Sequence, residues 1–195
     1  MKKLFQISLL TLFLSGCAIY PQSNNVLGYL RIADHYRIDR QRNMVLPFES
    51  SLYLPLTDNG AGDSQQYRAW MRPWLQRAEQ SFKSRFRQVQ QGMALEGDSQ
   101  ALLSAREKGA DYLLILLPTG WDGETVTVDD AHTFEIRKRI RFAVKLINVH
   151  SGELLEQIDV QAQSGFLTFW GDDPDSLSAA AFNQLARDLS GREIP

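Results

Sequence analysis

Cysteine is almost missing from this chain: Cys17 is the only one in 195 residues. No disulfide can close within it, so the fold must rest on a buried core. Histidine is scarce too. His35, His132 and His150 lie far apart, in polar or turn contexts without metal-ligand spacing, so no metal is expected. No Gly-x-Ser-x-Gly and no phosphate-cradling glycine loop occurs, so no cofactor and no standard catalytic set is expected. There is no basic surplus: 21 Lys and Arg face 23 Asp and Glu, a formal charge of −2, which argues against nucleic acid as a partner. Nor is there an apolar run of the roughly 20 residues that a membrane-spanning helix needs. No internal repeat or low-complexity tract is present.

What the chain does have begins at its amino end. Met1-Lys2-Lys3 precedes an apolar run from Leu4 to Leu14, followed by Leu14-Ser15-Gly16-Cys17. A positive start, a short apolar stretch and small residues are the parts of a cleaved export signal. Leu-Ser-Gly-Cys further resembles the lipobox of bacterial lipoproteins. The resemblance implies cleavage between Gly16 and Cys17, a diacylglycerol on the Cys17 sulfur and an acyl chain such as palmitate on the new amino terminus. Two such signals make anchoring stable, where one chain is only marginally held. Ala18, where an inner-membrane retention signal of the enterobacterial type would place aspartate, implies the outer membrane, with the domain facing the periplasm.

The expected organisation is a signal peptide over 1–16, a lipidated end and tether over 17–28, and one α/β domain over 29–195. Cleavage would leave 179 residues with 19 basic and 23 acidic side chains, a formal −4. The tether stretch from Ala18 to Asn25 reaches roughly 26–29 Å when extended, so the domain stays close to the membrane face. Residues 26–45 alternate weakly and leave open an edge strand or a wrap around the domain.

Downstream, Phe48 to Leu56 reads as a strand that Pro55 helps to end. Tyr67, Trp70, Met71, Trp74, Leu75, Ala78, Phe82 and Phe86 share one helical face. Pro73 predicts that this helix begins near Arg72, with 64–71 a separate turn. Val89 begins a short strand. Asp98 or Ser99 caps a helix carrying Leu102, Leu103 and Ala105, with Gly109 at its C′ position. Asp111 to Leu117 suits a strand buried on both faces. Asp173-Pro174-Asp175 opens a last helix whose inward stripe is Leu177, Ala181, Leu185 and Leu189.

The clearest β signal runs over 134–165. Ile136, Ile140, Phe142, Val144 and Leu146 share one face of a strand, with Arg137, Arg139, Arg141 and Lys145 on the other. A second strand sets Leu154, Ile158, Val160 and Ala162 against Gln157, Asp159, Gln161 and Gln163. A two-residue Ser-Gly turn would pair Val144 with Asp159. A three-residue turn with Gly152 left-handed pairs Val144 with Ile158 and Phe142 with Val160, apolar on apolar. The fold class is therefore α/β (α+β-like): one domain with a mixed four- to five-stranded sheet, a long antiparallel hairpin and about three flanking helices.

The Arg137, Arg139, Arg141 and Lys145 stripe is the sharpest candidate binding site, toward an envelope protein or anionic lipid; a solvated sheet face offset by Glu135 and Asp159 competes with it and is the weightier reading. The aromatic helix face reads first as core and second as a partner groove or, through Trp70 and Trp74, a self-assembly surface. Asp129, Asp130 and His132 form the nearest approach to an acid/base cluster for a hydrolase acting on lipid or peptidoglycan, and a polar loop accounts for them better.

The lipobox, the segment Ala-Arg-Glu-Lys-Gly-Ala-Asp-Tyr-Leu-Leu from Ala105 to Leu114, the long hairpin and Ser164 to Pro174 (Ser-Gly-Phe-Leu-Thr-Phe-Trp-Gly-Asp-Asp-Pro) together resemble a Gram-negative lipoprotein family, domain of unknown function 4823. The likeness covers most of residues 36–190. The family has no assigned activity, so it implies no catalytic residues. The element order also looks like that of periplasmic lipoproteins that assemble or activate envelope machinery, an analogy of fold that does not settle function. The expectation is a lipid-anchored, non-enzymatic envelope binding or assembly protein.

Overall fold

The computed structural model describes residues 35–57, 65–129, 132–164 and 174–191, with side chains throughout except 65–70, 121–137 and 174–175. Its strands are β1 (His35–Arg40), β2 (Ser51–Thr57), β3 (Gln88–Glu96), β4 (Tyr112–Asp129), β5 (His132–Asn148) and β6 (Leu154–Gln163), and its helices α1 (Gln65–Lys83), α2 (Asp98–Glu107) and α3 (Pro174–Ser190). They form one mixed α/β domain on a six-stranded sheet in the order β1-β6-β5-β4-β2-β3. The strands β4, β2 and β3 run parallel, and β1, β6, β5 and β4 antiparallel. The strand beyond the expected four or five is β1, whose residues His-Tyr-Arg-Ile-Asp-Arg carry too little apolar contrast to stand out.

One face of the sheet carries the main core. Trp74 of α1 packs edge-on against Phe142 of β5 and Phe182 of α3, with ring centroids 5.1 and 5.2 Å away, and its indole N–H donates to Ser178 Oγ at 2.9 Å. Leu177, Ala181, Leu185 and Leu189 are all buried, the stripe read from the sequence. On the opposite face α2 covers a smaller cluster of Tyr53, Ala101, Ala105, Leu113 and Ile115. The strand segment Leu113 to Leu116 is thus buried on both sides.

Three local expectations are corrected. The first helix begins at Gln65, not near Arg72, and runs through Pro73. Pro73 lies on the exposed side, between buried Met71 and Trp74, so the backbone bond it removes is on the watered face. Pro55 does not end β2, which continues to Thr57. At Pro55 the pairing with β3 shifts register, and three β3 residues, Gly92 to Ala94, bulge past it. The N-cap of α2 is Gly97, with no side-chain cap, while Asp98 sits in the first turn. At the other end, Gly109 (φ +66°) donates to Arg106 O and Ala110 N–H to Ala105 O, a Schellman closure.

The β5–β6 register is the one that parity selects: Val144 opposes Ile158, Phe142 opposes Val160 and Arg141 opposes Gln161. The turn differs. Asn148 N–H donates to Glu153 O, enclosing four residues, and Gly152 is left-handed at φ +73°. An even-numbered turn would invert the faces, and one extra residue, Leu155, between the Ile147–Leu154 and Leu146–Glu156 pairs restores them.

Candidate functional site

The sheet face opposite α1 and α3 is covered by α2 over β2, β3 and β4, with Lys145 of β5 reaching it through Asp98. Farther out none of the described residues covers it, and it is polar. Arg37 (β1), Gln161 (β6) and Arg141 (β5) stand in one cross-strand row, ending at Gly120 (β4). The absent side chain at Gly120 makes room for Arg141: a Cβ there would lie 2.9 Å from its Nη2. In the neighbouring row Asp39 directly opposes Asp159. Two like charges so placed repel, and Arg37 offsets them with a 2.9 Å ion pair to Asp39. Arg37, Asp39, Arg141, Asp159 and Gln161, with Thr119, line a shallow, open groove of about 210 Å³.

Of the expected stripe, Arg141 is exposed, Arg139 is half-buried, and Lys145 donates to Asp98 of α2 at 2.7 Å. Arg137 lies on the same strand, paired by backbone with Glu124, and its side chain is outside the described residues. The face is consequently of mixed sign, suited to polar partners that bring both donors and acceptors.

The most demanding polar group is one that sequence reading passed over. Glu156 stands in the apolar row of β6, opposite Leu146, with its side chain wholly buried. It accepts five hydrogen bonds: from Arg40 Nε (3.2 Å) and Nη2 (2.6 Å), and from the backbone N–H of Arg42 (3.1 Å), Asn43 (2.9 Å) and Met44 (3.0 Å). Burial pushes its acidity toward a higher pKa. The Arg40 bond and the Arg42 and Met44 amides outweigh that and hold the carboxyl below its ordinary value. The signal was present: a glutamate two residues before Ile158 on the inward row demands a partner, whereas Leu154, read on that same row, is exposed because the extra Leu155 shifts it off.

Other polar groups brace the fold. Asp111 Oδ2 accepts from Ser51 N–H (2.8 Å) and Ser51 Oγ (2.9 Å), tying the starts of β2 and β4. Gly109-Ala110-Asp111-Tyr112 therefore closes a helix, fills the core, clamps a strand and starts the next. Tyr53 donates to Glu96 at 2.9 Å beneath α2, and burial, then the Glu96 bond, push its hydroxyl up to about 12.

The three histidines stay apart, on β1, at the end of β5 that faces β4, and in the β5–β6 turn. His150 stands 4.0 Å from Asp111 beside an open hollow of about 310 Å³. It lies at the amino ends of the parallel strands, away from the carboxyl ends where such sheets usually bind ligands. Among the described residues, no three of His, Cys, Asp and Glu gather as a metal site. Asp129 and His132 are the last backbone pair of the β4–β5 hairpin, and Asp130 lies outside the described residues. Gly16 and Cys17 also lie outside them. Trp74 is buried and offers no assembly surface; the Trp70 side chain is outside the description.

The profile of the family described as domain of unknown function (DUF4823) matches residues 45–189, and the chain belongs to that family. No curated protein matches it. In fold it is similar to the PelC dodecamer from Paraburkholderia phytofirmans, at 14% identity and a TM-score of 0.58, covering 81% of this chain and 99% of that one. It is more distantly similar to a putative lipoprotein from Caulobacter crescentus (13% identity, TM-score 0.37, 71% of this chain and 88% of that). Lipoprotein GNA1162 from Neisseria meningitidis stands farther off (11%, TM-score 0.34, 71% and 99%). At these identities the first likeness is one of fold alone, and the two weaker ones carry no argument.

Proposed function

We propose that this member of the DUF4823 family is a lipid-anchored envelope protein that acts by binding rather than by catalysis. Cys17 carries the lipid in the outer membrane, residues 17–28 form a short tether, and the α/β domain works on the periplasmic side. The observation that carries the binding reading is the bare polar sheet face around Arg141, set beside Arg37, Asp39, Asp159 and Gln161. Its mixed charge favours a protein partner over anionic lipid, whose uniform sign the paired aspartates would oppose. Among the described residues no helix is long and apolar enough to cross a membrane. The test replaces Arg137, Arg139 and Arg141 together by Ser and compares partner recovery from cells with that of the unaltered chain. Loss of a specific partner while the protein stays folded and membrane-bound is the expected result; unchanged recovery of every partner overturns the reading.

Self-assembly is a second reading, favoured by the fold shared with a protein that forms a dodecamer. With Trp74 buried, the contacts would use sheet edges or the bare face. Light scattering on the unlipidated chain tests it: a defined multiple of the chain mass supports it, and a monomer at all concentrations removes it.

A further inference from the structure

We infer that residues 35–44 form a releasable strap: β1 and the turn after it open as one unit, hinged at Val45, while the sheet beyond stays folded. The match to the family profile begins at residue 45, just past the strap. Within β1 only Ile38 is fully buried, whereas all seven residues of β2 are. A strand with so little buried apolar surface belongs to the low-stability end of a fold. The ladder with β6, the 3.4 Å bond from Tyr36 to Gln184 and the partial packing of Tyr36 and Met44 on the core help to hold it. Beyond these, what holds it is concentrated: all five donors to Glu156 come from residues 40–44, and Arg40 Nη2 also donates to Met44 O at 2.6 Å. Just past the hinge, Leu46 is buried and its N–H donates to Leu189 O at 2.7 Å, fixing the base to α3. Val45 between them is 57% exposed.

The consequence rests on the anchor proposed above. The strap stands between Cys17 and the core, so opening lets the ten residues 35–44 reach up to about 33–36 Å from Val45 when extended. It also uncovers the edge of β6, an acceptor for an incoming strand.

Hydrogen–deuterium exchange on the purified full chain, from whichever cell fraction holds it, tests the strap independently of the anchor; acyl labelling tests the anchor. The amides of β1 and of residues 42–44 should exchange as a set, faster than those of β2 and β4. Glu156→Gln should accelerate that set about 100-fold, as expected when one partner of a buried pair is lost, and keep it ahead of β2, β4 and α1, whose amides open only with the whole domain. Should that variant not fold, Ile38→Ala should accelerate the same set and likewise keep it ahead of β2, β4 and α1. Exchange of β1 and residues 42–44 in step with β2 and β4, in the unaltered chain or in the variant, or no acceleration of that set, would each overturn the inference.

Discussion

The two halves of the sheet are built from the same strand geometry and serve different ends. On the β2–β4 side, helices cover both faces, every residue of β2 is buried, and polar groups such as Asp111 and Tyr53 are occupied in bracing the fold. On the β1–β6–β5 side, helices cover one face, and arginine, aspartate and glutamine alternate with the core residues. A strand buried on both faces has no position left for a partner. The half-covered side can keep its core and still present chemistry, at the expense of depending on fewer anchoring groups.

Substitutions can break this contrast. Trp74→Ala removes the ring that joins β5 and α3 and should cost about 3–5 kcal/mol in urea unfolding. Glu156→Ala, on the half-covered side, should cost about 3–5 kcal/mol despite touching little apolar surface, because it strands the buried Arg40. Its pH signature follows from the depressed carboxyl. The Glu156 contribution is present above the unfolded pKa, about 4.3, and is lost as pH falls through the lower folded value. Unfolding between pH 5 and 2 should therefore show less acid sensitivity in the variant. Gly152→Ala, at φ +73°, should cost about 1–2 kcal/mol by thermal unfolding. Arg141→Ser should change stability by less than about 0.5 kcal/mol while weakening partner capture. A large loss of stability there would show that the bare face is structural after all.

The legible features were those in which one local rule decides. Parity alone selected the β5–β6 register, and 3.6-residue spacing selected the α3 stripe. The Arg141 row was legible for the same reason, as the second face of a strand whose first face is apolar. Features decided by distant contacts were not. Pro73 reads as a helix start until the solvent side it occupies is known, and Pro55 reads as a strand end until β3 bulges around it. Glu156 could be placed on an inward row, but its partners could not be named, because its five donors lie more than a hundred residues away along the chain.

The central claim is that the bare polar face is where this protein meets its partner. Photo-crosslinking in cells from Gln161, compared with the same probe at Arg77 on the outward side of α1, tests it most directly. A discrete adduct from position 161 that is absent from position 77 is the expected result. Adducts from position 77 alone, or none from position 161, would contradict the account.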